Sequence, residues 1–155
     1  MSAPQFLDTN IILRYLTRDD EEKAIAALAL FQRLEHGTER VLTSQLVIFD
    51  VVFTLDRFYK LPRTEIQTVV SDIVSLPGLQ LQSKGLILDA LALFASHPKR
   101  IAFADAYNAV FAQSRGATEV YSWDTDFDSI PGITRIEPAM PDDPAITGVS
   151  IEATD

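Results

Sequence analysis

Gln5-Phe6-Leu7-Asp8-Thr9-Asn10 is a short apolar step that ends in a carboxylate, and a helix-like pattern (Ile11, Ile12, Tyr15, Leu16) follows at once. Strand, acid, helix is the opening unit of an open α/β sheet, in which ligands bind at the carboxyl ends of the strands. Asp8 stands at that place. Two readings of it hold at this stage: an N-cap accepting from the free N–H groups of the next helix, or one wall of a site.

Working outward, apolar residues at helical spacing alternate with short strand-like steps. Asp19-Asp20-Glu21-Glu22 opens a helix carrying Ala24, Ala27, Leu28, Phe31 and Leu34, and Gly37 stops it. Arg40–Thr43 reads as a second strand. Ser44–Lys60 is rich in β-branched and aromatic residues, which suits a strand; its length and the series Leu46, Phe49, Phe53 favour a buried helix, capped by Thr43 or Ser44 and ended near Pro62. Thr64–Ser75 is a further helix, Leu79–Leu81 a third strand, and Ser83 caps a helix reaching Phe94. After the loop His97-Pro98-Lys99-Arg100, the residues Phe103, Ala106, Tyr107, Val110 and Phe111 define a helix face that Gly116 ends. Glu119–Ser122 is a fourth strand, running into Trp123-Asp124-Thr125-Asp126-Phe127-Asp128, and Thr134–Glu137 is a short last one. This alternation predicts a parallel sheet with helices on both faces.

The 155 residues suffice for one domain with a proper core, and 47% of them are hydrophobic. The expected domain covers 1–137. The tail, 138–155, holds Asp142, Asp143, Glu152 and Asp155, no Lys or Arg, and four Pro or Gly, and is expected to be mobile. No apolar run approaches the roughly 18 residues of a membrane helix, and no signal peptide is evident, so a cytoplasmic location is expected. There is no Cys, and the two His, His36 and His97, each neighbour a helix-ending residue. A metal site here would be built from oxygen, which suits Mg²⁺ or Mn²⁺. The net charge of −9 argues against broad non-specific binding of nucleic acid. A local basic rim from Arg14, Arg18, Arg57, Lys60 and Arg63 remains compatible with it, and Lys99 and Arg100 could meet phosphate or simply be solvated.

Four acids draw attention. Asp8 and Asp124 end strands. Asp50 interrupts a mostly apolar helix face (Leu46, Val47, Phe53, Thr54), where it is either a ligand or a paired core acid. Asp105 is three residues before Asn108, on one helix face; its place in a first turn also suits the helix dipole. Asp56, beside Arg57, reads as solvated. The Asp124-x-Asp126-x-Asp128 spacing lacks the Gly and Glu of a calcium loop, since Ser129 and Arg135 fill those positions. Convergent carboxylates could hold two metal ions about 4 Å apart for phosphodiester cleavage.

Three stretches carry a resemblance: Phe6–Asp19, Phe103-Ala104-Asp105-Ala106 with its helix, and Val120–Phe127 followed by Ile130-Pro131-Gly132. In this order they resemble the PIN domain, and more closely the VapC-type toxins of bacterial toxin–antitoxin pairs, over roughly residues 5–137. The resemblance implies a three-layer α/β/α sandwich with a central, mainly parallel sheet. It also implies Mg²⁺- or Mn²⁺-dependent endoribonuclease activity on RNA, a homodimer, and a small antitoxin protein that inhibits it. Carried over by position, Asp8, Asp50, Asp105 and Asp124 are the catalytic and metal-binding acids. Thr9, Asn10 and Ser122 support them, with Asp126 as an auxiliary. The second family acid is normally Glu; Asp50 is one methylene shorter and would reach a metal through water. The rival readings are a phosphatase of the haloacid-dehalogenase type, which wants Asp where Asn10 stands; a phosphoacceptor receiver domain, which wants adjacent acids and a late Lys; and a PIN-like RNA- or protein-binding module with a weakened site.

Overall fold

In this computed structural model, which describes residues 3–142, every pairing between strands is parallel. The strands are β1 (Gln5–Phe6), β2 (Val41–Leu42), β3 (Leu79–Gln80), β4 (Glu119–Tyr121) and β5 (Thr134–Ile136). The helices are α1 (Thr9–Thr17), α2 (Glu21–His36), α3 (Gln45–Arg57), α4 (Arg63–Val74), α5 (Lys84–Ser96) and α6 (Phe103–Ser114). The result is an α/β sandwich whose strands form two pieces, ordered β1-β2-β3 and β4-β5. Of the acidic tail read from the sequence, 138–142 contain no helix or strand, and 143–155 lie outside the described residues.

Local chemistry sets the element ends. The Asp20 carboxylate accepts from the Lys23 backbone N–H at the start of α2, and Gly37, at φ 73°, closes that helix in the left-handed conformation that glycine adopts without strain. Ser44 caps α3 by accepting from the Val47 N–H. Thr43 does something else: buried at the end of β2, its hydroxyl donates to the Leu7 carbonyl at 2.9 Å and joins the ends of β1 and β2. Ser83 occupies the N-cap of α5 but at φ 60° its side chain makes no cap bond.

The core takes one apolar side of each helix. On α3 this is Val47, Ile48, Val51, Val52 and Leu55, which leaves Leu46 78% and Phe53 64% exposed. The sequence reading had put the other side in. An all-round apolar helix carries no phase of its own, and the β-branched stripe wins the packed side. Two consequences follow. Asp50 is exposed rather than embedded. Asp56, read as solvated, is buried, with its side chain 6% exposed and paired to Arg63.

A second polar tie holds the far end of α1. Asp19 accepts from the Tyr59 hydroxyl at 2.7 Å, the Thr17 hydroxyl at 2.8 Å and Arg14 at 2.8 Å. These bonds, Tyr59 foremost, hold its carboxyl down to about 2. Both histidines sit at helix ends, as expected from their neighbours.

Candidate metal centre

The three acids that meet are Asp105, Asp124 and Asp126. Each offers a carboxylate oxygen within 4.8 Å of the others. Asp105 comes from the first turn of α6. Asp124 and Asp126 come from the chain leaving β4, where a 3-10 helix, Thr125–Ser129, turns back on itself. That tight turn makes neighbours of residues two apart. The Asp124 carboxylate accepts from the Asp126 N–H at 2.9 Å, and Ser122 accepts from the Asp124 N–H at 2.9 Å. Ser122 thereby positions Asp124, and Asp126 stands inside the cluster as a full member.

Asp8 and Asp50 stand outside this set, both exposed. Asp8 holds the N-cap position of α1 at the end of the β1 segment, yet its side chain makes no cap hydrogen bond. Thr9 is the first residue of α1 and is half-buried; Asn10 lines a separate cleft between α1 and α2 with Ile11, Arg14 and Lys23.

The electrostatics are those of crowded carboxylates. Burial, then the Asp124 charge and the contact with it, then Asp126, push the Asp105 carboxyl up from its ordinary value. One cation relieves the set. Lys99 reaches Asp126 at 2.8 Å, and its own pKa is raised, chiefly by that bond. His97 fixes the loop that carries Lys99. With Nδ1 accepting from the Lys99 N–H at 3.1 Å, Nε2 is the donor to the Ser129 carbonyl at 2.9 Å. From the sequence, Lys99 is a loop cation that could meet phosphate or be solvated; the structure pairs it with Asp126. No spacing in the chain signals that Ser129 and Asp126 would fold against it.

The donor set fits a hard divalent cation. All three groups supply oxygen, the donor that Mg²⁺ and Mn²⁺ prefer, and their carboxylate oxygens lie within 4.8 Å of one another. Charge fits as well, since a dication removes the repulsion that raises Asp105.

Two comparisons bear on identity. A VapC ribonuclease from Aquifex aeolicus (strain VF5) is 28% identical over 134 residues, which covers 86% of this chain and 96% of that protein. The PIN domain family model matches residues 6–133. That match runs from the strand before Asp8 through the α6 acid to the turn holding Asp124 and Asp126, and by it the chain belongs to the PIN-domain family.

Proposed function

We propose that the protein is a divalent-metal-dependent endoribonuclease, and that it acts as the toxin of a toxin–antitoxin pair. The observation that carries the nuclease reading is the convergence of the Asp105, Asp124 and Asp126 carboxylates. The likeness to a VapC ribonuclease over 86% of the chain supports RNA as substrate and a toxin role. On this reading the protein works as a cytoplasmic homodimer and is held in check by a small antitoxin protein. No helix among the described residues is long and apolar enough to cross a membrane.

Asp105, Asp124 and Asp126 would hold Mg²⁺ or Mn²⁺, which when bound activates an attacking water and stabilises the leaving oxygen of a phosphodiester. The chain's own residues prepare that chemistry. Ser122 and the 3-10 turn fix Asp124 and Asp126 on the strand end. Lys99 holds Asp126 and tempers the charge of the bare site. Asp8 and Asp50, which stand outside this cluster, would join it through water, Asp50 because its side chain is short. No Cys is available as a covalent nucleophile.

One observation favours a second reading, a PIN-like binding module with a weakened centre. Asp8 and Asp50 stay outside the cluster, and an Asp124 oxygen is engaged by the Asp126 N–H. Titration calorimetry with Mn²⁺, run beside an RNA cleavage assay on wild type and Asp105→Asn, separates the two. The nuclease reading expects metal binding and cleavage in wild type and neither in the variant. Wild type that binds RNA but neither metal nor cuts, with any antitoxin removed, would sink it.

A further inference from the structure

Thirteen Lys and Arg serve a chain of net charge −9, so cations should be well supplied with acids. Among the described residues, Arg18, Arg40, Lys84 and Arg115 make no ion pair, while five others each have acids to themselves. Arg14 has Asp19, Lys23 has Asp20, Arg33 has Glu39, Lys99 has Asp126, and Arg135 has both Asp128 and Glu137. At Asp56 the ratio inverts. Arg57, Arg63 and Arg100 approach this one carboxylate at 3.8, 3.2 and 2.8 Å. Lys60 lines the same open cleft of about 450 Å³, between Arg57 and Arg100. Three guanidiniums therefore share a single acid, with Lys60 on the same cleft.

Structural need accounts for one of them. A buried carboxylate requires a partner, and Arg63, 9% exposed and stacked 3.9 Å over the Phe94 ring, supplies it. Arg57 and Arg100 are 65% and 68% exposed, so neither is needed to cover a buried charge. Two further features mark the cleft as under-supplied with negative charge. The Arg63 Nε is buried and has no hydrogen-bond partner. Burial, and then the Arg100 and Arg57 charges, lower the Arg63 pKa against the opposing pull of Asp56.

We propose that Arg57, Lys60 and Arg100 form a phosphate subsite that holds the backbone of a single-stranded RNA beside the acid cluster. The proposal rests on the nuclease reading above. Three observations connect the two places. Lys99 binds Asp126 of the acid cluster while its neighbour Arg100 binds Asp56, so two adjacent side chains span the distance. His97 anchors that loop to the turn that carries Asp126. A cleft of about 490 Å³ runs from Asp56 and Arg57 to Asn108, one turn along α6 from Asp105, over Phe49, Phe53, Phe103 and Tyr107. A cationic mouth beside an open ring is the combination that binds single strands, with phosphates on the cations and a base on Phe53, which is 64% exposed. Local placement matters because screening confines surface charges to about 8–10 Å. An acidic chain can therefore still present a cationic patch.

The test is the binding of a fluorescein-labelled oligouridylate to the full chain in EDTA, where no cleavage intervenes, across a series of NaCl concentrations. Removing two phosphate contacts in Arg57→Gln/Arg100→Gln lowers the slope of log K against log salt by about 1.4, which weakens binding about 25-fold at ~0.1 M salt. Arg57→Lys/Arg100→Lys restores both, because the phosphate contact needs charge rather than a fork. Arg33→Gln, a cation engaged with Glu39 on α2, leaves both at the wild-type value. If the double variant loses its fold, as seen by its melting curve, Lys60→Gln alone carries the test, with a slope change of about 0.7. An unchanged slope and affinity, beside a wild type that cuts RNA in Mn²⁺, overturns the subsite and leaves the nuclease reading standing. A wild type that neither binds nor cuts RNA overturns both.

Discussion

Replacing Asp56 by Asn keeps the shape of the side chain and removes its charge, which isolates what the carboxylate does for α3, α4 and the loop before α6. The Asp56 side chain is 6% exposed and that of Arg63 is 9% exposed. Removing one partner of a buried pair costs about 3–5 kcal/mol, because the other charge stays buried and uncompensated. Three details adjust this figure. Arg63 keeps its bond to the Ile101 carbonyl at 2.5 Å, and the Asn carbonyl still accepts a bond worth about 1 kcal/mol. Arg57 and Arg100, both exposed, lose about 0–1 kcal/mol each. Against that, three guanidiniums are left facing one another. The expected loss is about 3 kcal/mol, or a fall of roughly 6–12 °C in Tm for a chain of this size. Urea and thermal unfolding followed by circular dichroism at pH 7 without metal would measure it. Asp56→Leu/Arg63→Met, which removes both charges and keeps the volume, should cost less than Asp56→Asn. The same Asp56→Asn should bind oligouridylate more tightly at low salt, since the cleft gains a unit of positive charge. A loss under about 1 kcal/mol, or a double variant as unstable as the single one, would refute the claim that Asp56 holds this corner by charge.

Tyr59→Phe removes the strongest bond to Asp19, so its carboxyl pKa should rise from about 2 toward the ordinary 3.8. Because the folded value lies below the unfolded one, this contribution to stability is full above about pH 4 and is lost as pH falls toward 2; wild type should melt above the variant at pH 7 and with it below pH 2, and NMR titration of the Asp19 carboxyl checks the shift directly. Gly78→Ala would set a Cβ 2.3 Å from the Glu39 carbonyl oxygen and 2.9 Å from the Leu34 Cα, both backbone atoms that cannot rotate away, so a loss of about 3 kcal/mol or more in urea unfolding is expected. Asp105→Asn relieves a crowded set of acids, so the metal-free variant should melt no lower than wild type while losing the rise in Tm that millimolar Mn²⁺ gives the parent.

The order of elements was legible because each boundary has its own chemistry. Ser44 before an apolar run, Gly37 after one, and short apolar steps ending in polar residues mark starts and stops with no knowledge of the tertiary fold. The meeting of Asp105 with Asp124 was legible only through the resemblance, since neither spacing nor composition says that the start of α6 lies against the end of β4. Two things were not readable. The rotation of α3 about its axis depends on which of several apolar stripes packs better, and that choice exchanged the fates of Asp50 and Asp56. Asp126, expected through the resemblance as an auxiliary, is a full member because of the 3-10 turn at 125–129; an extended continuation of β4 would have pointed Asp124 and Asp126 the same way without folding their oxygens toward α6. Lys99, Arg100 and Arg63 belong to the same class. Each is set by a partner 7 to 44 residues distant, which local pattern does not encode.

The two charged clusters have opposite signs and lie at the two ends of a loop two side chains wide, and this division bears on how an acidic protein could handle a polyanion. The bare acid cluster repels phosphate; a bound dication would offset most of that negative charge, there and nowhere else. The Asp56 corner is positive with or without metal, because its cations are covalently part of the chain. Holding the strand and cutting it then depend on different charges, and chelation should abolish cleavage while leaving most of the affinity for RNA. Lys99 couples the two by sitting on Asp126 from the loop that also presents Arg100. Asp126 can serve either Lys99 or a metal held with Asp105 and Asp124, and a Lys99 released from Asp126 would leave its ammonium free to face phosphate. The ion pair that stabilises the metal-free site is thus the one that binding of metal and RNA together would break.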